Sequence, residues 1–199
     1  LVTFVCLHGR HGSPSSLSAV RLIQGKPHKS NGREFLPGRG KRSSITPSHA
    51  LWNCTLHTCS GDTGGAVEYP SASPNVISVG GTTLHFDSTG AFQSETGWSS
   101  GGGGCSQYET ATAAQAGYAS YGQASCNGKR GTPDVSLDAD PASGVSVYDS
   151  TSYQGQKGWF RVGGTSAACP MWAARSADAG AVVNAAYVYG TTNIAFRDI

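Results

Sequence analysis

Charged residues are scarce in this 199-residue chain, and long apolar runs are absent. Lys, Arg, Asp and Glu together make up 13% of the sequence, about half of what an average globular protein carries. A membrane-spanning helix needs about 20 consecutive apolar residues, and no such run occurs, so no membrane partner is expected. The hydrophobic content of 38% still suffices for a core. The length therefore fits one domain, or part of one.

The six cysteines include no Cys-x-x-Cys pair. Cys54, His57 and Cys59 are spaced like half of a zinc site, but the second pair that makes such sites convincing is missing, so zinc is not predicted. Cys105 and Cys126 flank a polar loop, which favours a disulfide in an oxidising compartment, worth about 3 kcal/mol in the chain-entropy model. Abundant Gly, Ser, Ala and Thr agree with a secreted or extracellular protein.

Acidic residues are nearly absent from the first quarter of the chain. Residues 1–50 hold eight of the 14 Lys and Arg residues but only one of the 12 acids, Glu34. This basic, Pro/Gly/Ser-rich stretch lacks apolar periodicity. We therefore predict that residues 1–55 form no recognisable domain and are disordered or aberrant. A nucleic-acid-binding arm is the alternative, but aromatic interleaving is missing, so no nucleic-acid partner is expected.

From about Leu56 the sequence pattern is typical of an α/β domain. The run 75–79 predicts a buried strand closed by Gly80 and Gly81, and 82–86 predicts a second short strand. The runs 145–148 and 158–162 predict strands on either side of a hairpin-like loop. A small-residue segment from Ala167 onwards favours a helix.

The sequence Gly163-Gly164-Thr165-Ser166-Ala167-Ala168-Cys169-Pro170 joins that last strand to the helix. It places the Ser166 hydroxyl at a sharp strand-to-helix turn, beside unpaired backbone N–H groups. A nucleophilic serine needs this setting, with donors ready for the negative charge of acyl transfer. The alternative interpretation is an ordinary glycine turn with a capping serine.

Seven motifs occur in an order that resembles one peptidase family. They are Ser60-Gly61-Asp62-Thr63-Gly64, Tyr69-Pro70-Ser71-Ala72-Ser73-Pro74-Asn75-Val76, Val79-Gly80-Gly81-Thr82-Thr83-Leu84, Glu95-Thr96-Gly97-Trp98 with Gly101-Gly102-Gly103-Gly104, Pro133-Asp134-Val135-Ser136, Asp138-Ala139-Asp140-Pro141-Ala142-Ser143-Gly144, and the Ser166 octapeptide. Residues 56–199 thus resemble the sedolisin family of serine-carboxyl peptidases. The resemblance implies an α/β, subtilisin-like fold, with a mostly parallel sheet flanked by helices and incomplete here at both ends.

The resemblance also implies roles for two residues and a polypeptide substrate, cleaved by endopeptidase or tripeptidyl-peptidase action. Ser166 matches the family's nucleophile and Asp62 its oxyanion-hole aspartate. An ionised Asp62 would repel the oxyanion, so the resemblance implies a protonated carboxyl and work in acid. Without the other motifs, Asp62 would be interpreted as an Asx-turn.

Asp198 and Ile199 match the start of the family's calcium loop, whose first ligands are an Asp carboxylate and the next carbonyl. Calcium binds six to eight oxygens, and the rest of that loop has no counterpart in these 199 residues. Calcium is therefore the expected cofactor, with weak or no binding by this chain.

The family's catalytic Glu and Asp, four residues apart on a helix before the Asp62 motif, have no match. The only earlier acid is Glu34, and Gly38 stands four residues later with Pro37 between them, which breaks a helix. The chain is therefore predicted to be inactive, and a non-catalytic remnant or pseudo-enzyme is the alternative. A subtilisin-like triad using His8 would need an upstream Asp, which is also missing.

Overall fold

Nine strands and three α-helices make up the computed structural model, which describes residues 2–7, 53–179, 183–190, 196–197 and 199. In chain order they are β1 (Val2–Leu7), β2 (Asn53–Cys59), β3 (Ile77–Phe86), β4 (Phe92–Gly97), β5 (Gly104–Thr110), α1 (Ala113–Ala116), β6 (Lys129–Thr132), β7 (Val135–Asp138), β8 (Val145–Tyr153), β9 (Gln156–Val162), α2 (Thr165–Asp178) and α3 (Ala185–Gly190). None of the helices in these described ranges is long and apolar enough to cross a membrane.

A mixed five-stranded sheet organises the fold. Its centre is parallel: β2 pairs with β3, where His57 lies opposite Ile77, and β3 pairs with β7, where Val79 lies opposite Val135. The outer pairs, β1 with β2 and β3 with β4, are antiparallel. Parallel strands end at the same edge of a sheet. The loops that follow β2 and β7 therefore lie on one side.

Helix α2 packs on one face of this sheet and completes the core. The buried residues of the main cluster come from β3, β7, α2 and the segment that includes α3. They are Ile77, Val79, Val135, Ala139, Ala168, Cys169, Val183 and Val188, with Cys59 and Trp98 among the partly buried residues packed against them. Small side chains at Ala168 and Cys169, both fully buried, let the helix approach the strands closely.

Strand β3 is one continuous element of ten residues, so the prediction of two short strands separated at Gly80 and Gly81 was wrong. A Cβ on Gly80 would lie 2.5 Å from the Pro133 ring, and one on Gly81 would lie 2.6 Å from Ala139. Glycine is required here because neighbouring segments pack directly on the strand. The two residues do not terminate it.

The described parts of the first 55 residues belong to the sheet. Strand β1 pairs with β2 along its whole length, and β2 itself begins at Asn53. The proposed boundary at residue 55 therefore falls inside a strand. Residues 8–52 lie outside the described residues, so the interpretation of the basic segment stays a prediction.

Two smaller sheets follow the main one, and the sequence predicted the second of them but not the first. Strands β8 and β9 form the predicted antiparallel hairpin, with Val147 opposite Phe160. Strands β5 and β6 also pair antiparallel. The predicted Cys105–Cys126 disulfide is present, with the two Cα atoms 5.2 Å apart.

A buried polar network fixes α1 and α3 to the end of β3. The Arg130 and Asp134 side chains form an ion pair in which each is only 1% exposed. Asp134 also accepts hydrogen bonds from the Ser78 N–H, at 2.7 Å, and the Tyr189 hydroxyl, at 2.6 Å. Gln115 donates to that hydroxyl at 2.8 Å. Burial and the nearby Asp134 carboxylate raise the pKa of Tyr189, so its hydroxyl stays a donor.

Replacing both Cys105 and Cys126 by serine should lower the free energy of unfolding by about 3 kcal/mol, because the open loop regains entropy in the unfolded chain. Urea unfolding followed by circular dichroism would measure this loss. Reduction of the wild-type protein should reproduce it. An unchanged urea concentration at the unfolding midpoint would contradict a stabilising Cys105–Cys126 disulfide.

Candidate active site

Ser166 lies in the first turn of α2, directly after the glycines that end β9. Strand β9 ends at Val162 and α2 begins at Thr165. Gly164 has a φ of +94°, a conformation that side-chain-bearing residues rarely adopt. The predicted strand-to-helix turn is therefore present, and the Ser166 side chain is exposed at its outer surface.

Asp62 lies against the start of α2, although 103 residues separate it from Thr165. Its Oδ1 accepts hydrogen bonds from the Thr165 backbone N–H and from the Thr165 hydroxyl, each at 2.8 Å. The N-cap residue Gly164 has no side chain to satisfy the helix, so the Asp62 carboxyl takes over this capping role. The structure thus brings Asp62 to the residue next to Ser166.

Thr165 is the residue that joins the two segments, and sequence analysis did not single it out. Its hydroxyl donates to Asp62 and accepts from the Gly61 N–H at 3.2 Å. The loop after β2 is held further by the Gly102 N–H, which donates to the Gly61 carbonyl at 2.8 Å. The Gly-Thr-Ser pattern carried the only available signal, because threonine there has both a donor and an acceptor to offer.

Among the described residues, the side-chain hydrogen-bond partner of the Ser166 hydroxyl is a thiol. Ser166 Oγ lies 3.9 Å from Cys59 Sγ, at the end of β2. A general base must approach a serine hydroxyl to about 2.6–3.2 Å. Among the described residues, no carboxylate or imidazole forms a hydrogen bond with Ser166. Cys59 had been considered only as part of a zinc pattern, so sequence analysis missed its place here.

His57 is buried beneath the site, two residues before Cys59 on β2. Its side chain is fully inaccessible, and neither ring nitrogen has a hydrogen-bond partner among the described residues. Burial lowers the pKa of His57 from 6.5 to about 4, because the charged imidazolium loses its hydration. A neutral imidazole is therefore built into the core.

Of the two expected calcium ligands, the structure describes Ile199 alone. Asp198 lies outside the described residues, and Ile199 is 53% exposed. Within the described parts of the chain, no group of three or more His, Cys, Asp or Glu side chains could hold a metal ion. One carboxylate and one carbonyl fall short of a calcium shell, so the calcium assignment stays a prediction. His8 and Glu34 also lie outside the described residues.

The fold thus places a serine at a strand-to-helix turn and an aspartate beside it, at one edge of the parallel part of the sheet. The model of the subtilase family matches residues 31–189. The chain therefore belongs to the subtilase family, and its relatives place it in the sedolisin group of that family. The match starts at residue 31, earlier than the motifs, which begin near residue 56.

Three curated relatives support the sedolisin group. Sedolisin from Pseudomonas sp. is 37% identical over 117 residues, which cover 54% of this chain and 18% of sedolisin. Kumamolisin from Bacillus sp. is 34% identical and covers 63% of this chain and 24% of its own length. Xanthomonalisin from Xanthomonas sp. is also 34% identical, and the match covers 54% of this chain and 14% of xanthomonalisin. The chain thus spans at most about a quarter of these relatives.

A solved structure agrees with the sequence relatives. The Pseudomonas sedolisin, a serine-carboxyl proteinase complexed with pseudo-iodotyrostatin, superimposes with a TM-score of 0.52 at 34% identity. The superposition covers 67% of this chain and 42% of that one. The expected subtilisin-like fold is therefore confirmed.

Replacing Gly164 by alanine should destabilise the site more than a comparable glycine substitution elsewhere. A Cβ there would lie 2.8 Å from Asp62 Oδ2, in addition to the strain of a positive φ. The strain alone costs about 1–2 kcal/mol, and the clash adds about 1–3 kcal/mol. Gly65→Ala is the matched control, since Gly65 has a φ of +72° with open space around it. The free energy of unfolding of both variants would be measured in urea. Equal losses in Gly164→Ala and Gly65→Ala would contradict the close contact between Gly164 and Asp62.

Acidification should destabilise the protein through His57. Its lowered pKa means that the unfolded chain binds a proton between pH 6.5 and about 4, whereas the folded chain does not. The stabilisation is complete above pH 6.5 and falls by about 1.4 kcal/mol per unit below it, or about 3 kcal/mol in total. Unfolding of wild type and His57→Leu across this range would measure the difference. A leucine variant with the same pH slope would exclude His57 as the cause.

Proposed function

We propose that this domain carries the nucleophile and oxyanion site of a peptidase that cleaves peptide bonds through an acyl-enzyme on Ser166. The observation that carries this proposal is the pair of hydrogen bonds from Thr165 to Asp62. They hold a carboxyl group beside the helix turn that presents the serine. A capping aspartate from a distant loop would be an unusual device for a turn with no chemical role.

In the proposed reaction, Ser166 Oγ attacks the carbonyl carbon of the scissile bond. A C–O bond forms, the carbonyl electrons move onto oxygen, and the Asp62 carboxyl donates a hydrogen bond to that oxyanion. Asp62 Oδ1 already accepts two hydrogen bonds, so the donated proton belongs on Oδ2. A general base outside the described residues would take the serine proton and pass it to the amine nitrogen as the C–N bond breaks, and the same base would then activate the water that hydrolyses the ester. Acidic conditions favour the required protonated carboxyl.

Within the described parts of the chain, no carboxylate or imidazole is placed to accept the serine proton, and we propose that these 199 residues alone are nearly inactive. The Cys59 contact at 3.9 Å is long, and no Glu-x-x-x-Asp segment precedes Asp62. Loss of one member of a catalytic triad typically removes several orders of magnitude in rate. The same observation favours a second candidate, a non-catalytic remnant with no selected activity.

Formate should distinguish the two candidates, because a small carboxylate can replace a missing carboxylate base. With a p-nitrophenyl ester at about pH 4, formate should raise the rate about tenfold or more in a saturable way. Ser166→Ala should abolish that increase, and Ser146→Ala, on the exposed hairpin, should not. An esterase rate that does not change with formate concentration would favour the non-catalytic remnant. Efficient peptide cleavage without formate, lost in Ser166→Ala, would contradict the missing-base argument.

The role of Asp62 predicts different effects for two substitutions. Asp62→Asn keeps an acceptor for Thr165 and gains an N–H donor for the oxyanion, so the formate-dependent rate should survive. Asp62→Ala removes both and should lower it about 10²- to 10³-fold. Esterase rates across pH would measure this, and the Asn variant should lose dependence on acid. Equal losses in both variants would contradict the oxyanion assignment.

A further inference from the structure

The Glu68 side chain places a carboxylate against the loop that carries Asp62. A Cβ built on Gly61 would lie 2.7 Å from Glu68 Cδ and 2.8 Å from both carboxylate oxygens. The Gly61 N–H in turn donates to the hydroxyl of Thr165, the residue before Ser166. The backbone at Gly61 thus lies between the Glu68 carboxylate and the strand-to-helix turn that carries Ser166.

No Lys or Arg among the described residues forms an ion pair with this carboxylate. The described residues form three ion pairs, and each uses a different acid: Asp134, Asp178 or Glu95. Glu68 is exposed. Its backbone carbonyl accepts a hydrogen bond from the Ala72 N–H at 2.9 Å, but its carboxylate forms none with the described residues. Its neighbour Tyr69 is 75% exposed, which offers an aromatic surface to a cation.

We infer that Glu68 is a specificity-determining residue that binds a cationic group of the polypeptide substrate beside Ser166. The inference rests on the proposed function. An ammonium or guanidinium group satisfies an unpaired carboxylate and can also contact a tyrosine ring. Two parts of a peptide carry such a group: a Lys or Arg side chain next to the scissile bond, and the free N-terminus. Both provide the same chemistry, and the experiment separates them.

Peptidyl aldehydes test the inference without requiring turnover, because they add reversibly to a serine hydroxyl. Three probes suffice: an N-acetylated peptide ending in argininal, the same peptide ending in norleucinal, and the norleucinal peptide with a free N-terminus. Fluorescent labels on a central residue allow dissociation constants to be measured at low salt and about pH 5, on the acidic side that the proposed oxyanion site requires. Each probe is measured with wild type, Glu68→Gln, Glu109→Gln and Ser166→Ala.

Glu109 provides the matched control. It lies five residues along β5 from Gly104, or about 16 Å away at the rise of a strand, and Gly104 is the end of β5 that approaches Val67. Substitution of either glutamate by glutamine changes the net charge equally. A local effect of Glu68 is therefore separated from the overall field of the protein.

Wild type should bind at least one cationic probe about two- to fivefold more tightly than the acetylated norleucinal, the range of an exposed ion pair. Glu68→Gln should lose that preference and Glu109→Gln should keep it. Preference for argininal identifies a side-chain subsite, and preference for the free amine identifies an N-terminal one. Equal binding of all three probes to wild type, or a preference that survives Glu68→Gln, would overturn the inference. Binding that is unaffected by Ser166→Ala would instead contradict the proposed function.

Discussion

The hydrogen bonds between Thr165 and Asp62 connect the end of β2 to the start of α2, across 103 residues of sequence. Every other feature of the site depends on this contact. Gly164 has to lack a side chain because the Asp62 carboxyl occupies the adjacent space, and the Gly61 backbone is drawn to the same threonine. Ser166 follows in the next position of the helix. Its exposure is therefore a consequence of how two core elements are joined.

Under the proposed function, the Asp62 carboxyl would serve two demands that differ in charge. The N-terminus of α2 carries partial positive charge, which favours an anion at Asp62. An oxyanion requires a hydrogen-bond donor, which an anion cannot be. A neutral acid meets both demands, since Oδ1 can accept from Thr165 while Oδ2 carries the proton. Acidity that favours this state also opposes the buried neutral His57, whose lowered pKa makes the fold less stable in acid.

Sequence patterns predicted the parts of this structure that are determined locally. The strand-to-helix turn, the β8–β9 hairpin and the Cys105–Cys126 disulfide all follow from short motifs. The prediction failed where contacts between distant segments determine the structure. Gly80 and Gly81 look like strand breakers in the sequence, but they are glycines because Pro133 and Ala139 pack directly on them. Thr165 and Cys59 were missed for the same reason, because their partners lie over 100 residues away.

The residues that position Ser166 also hold the fold, whereas a general base would not need to. Removing the Asp62 carboxyl, or adding a side chain at Gly164, would disturb the junction of β2 with α2. A general base contributes to rate and little to this junction, so a chain can lose it while the turn at Ser166 persists. Likeness to sedolisins in sequence and fold therefore reports on the surroundings of Ser166. Activity depends on a proton acceptor that the likeness does not supply.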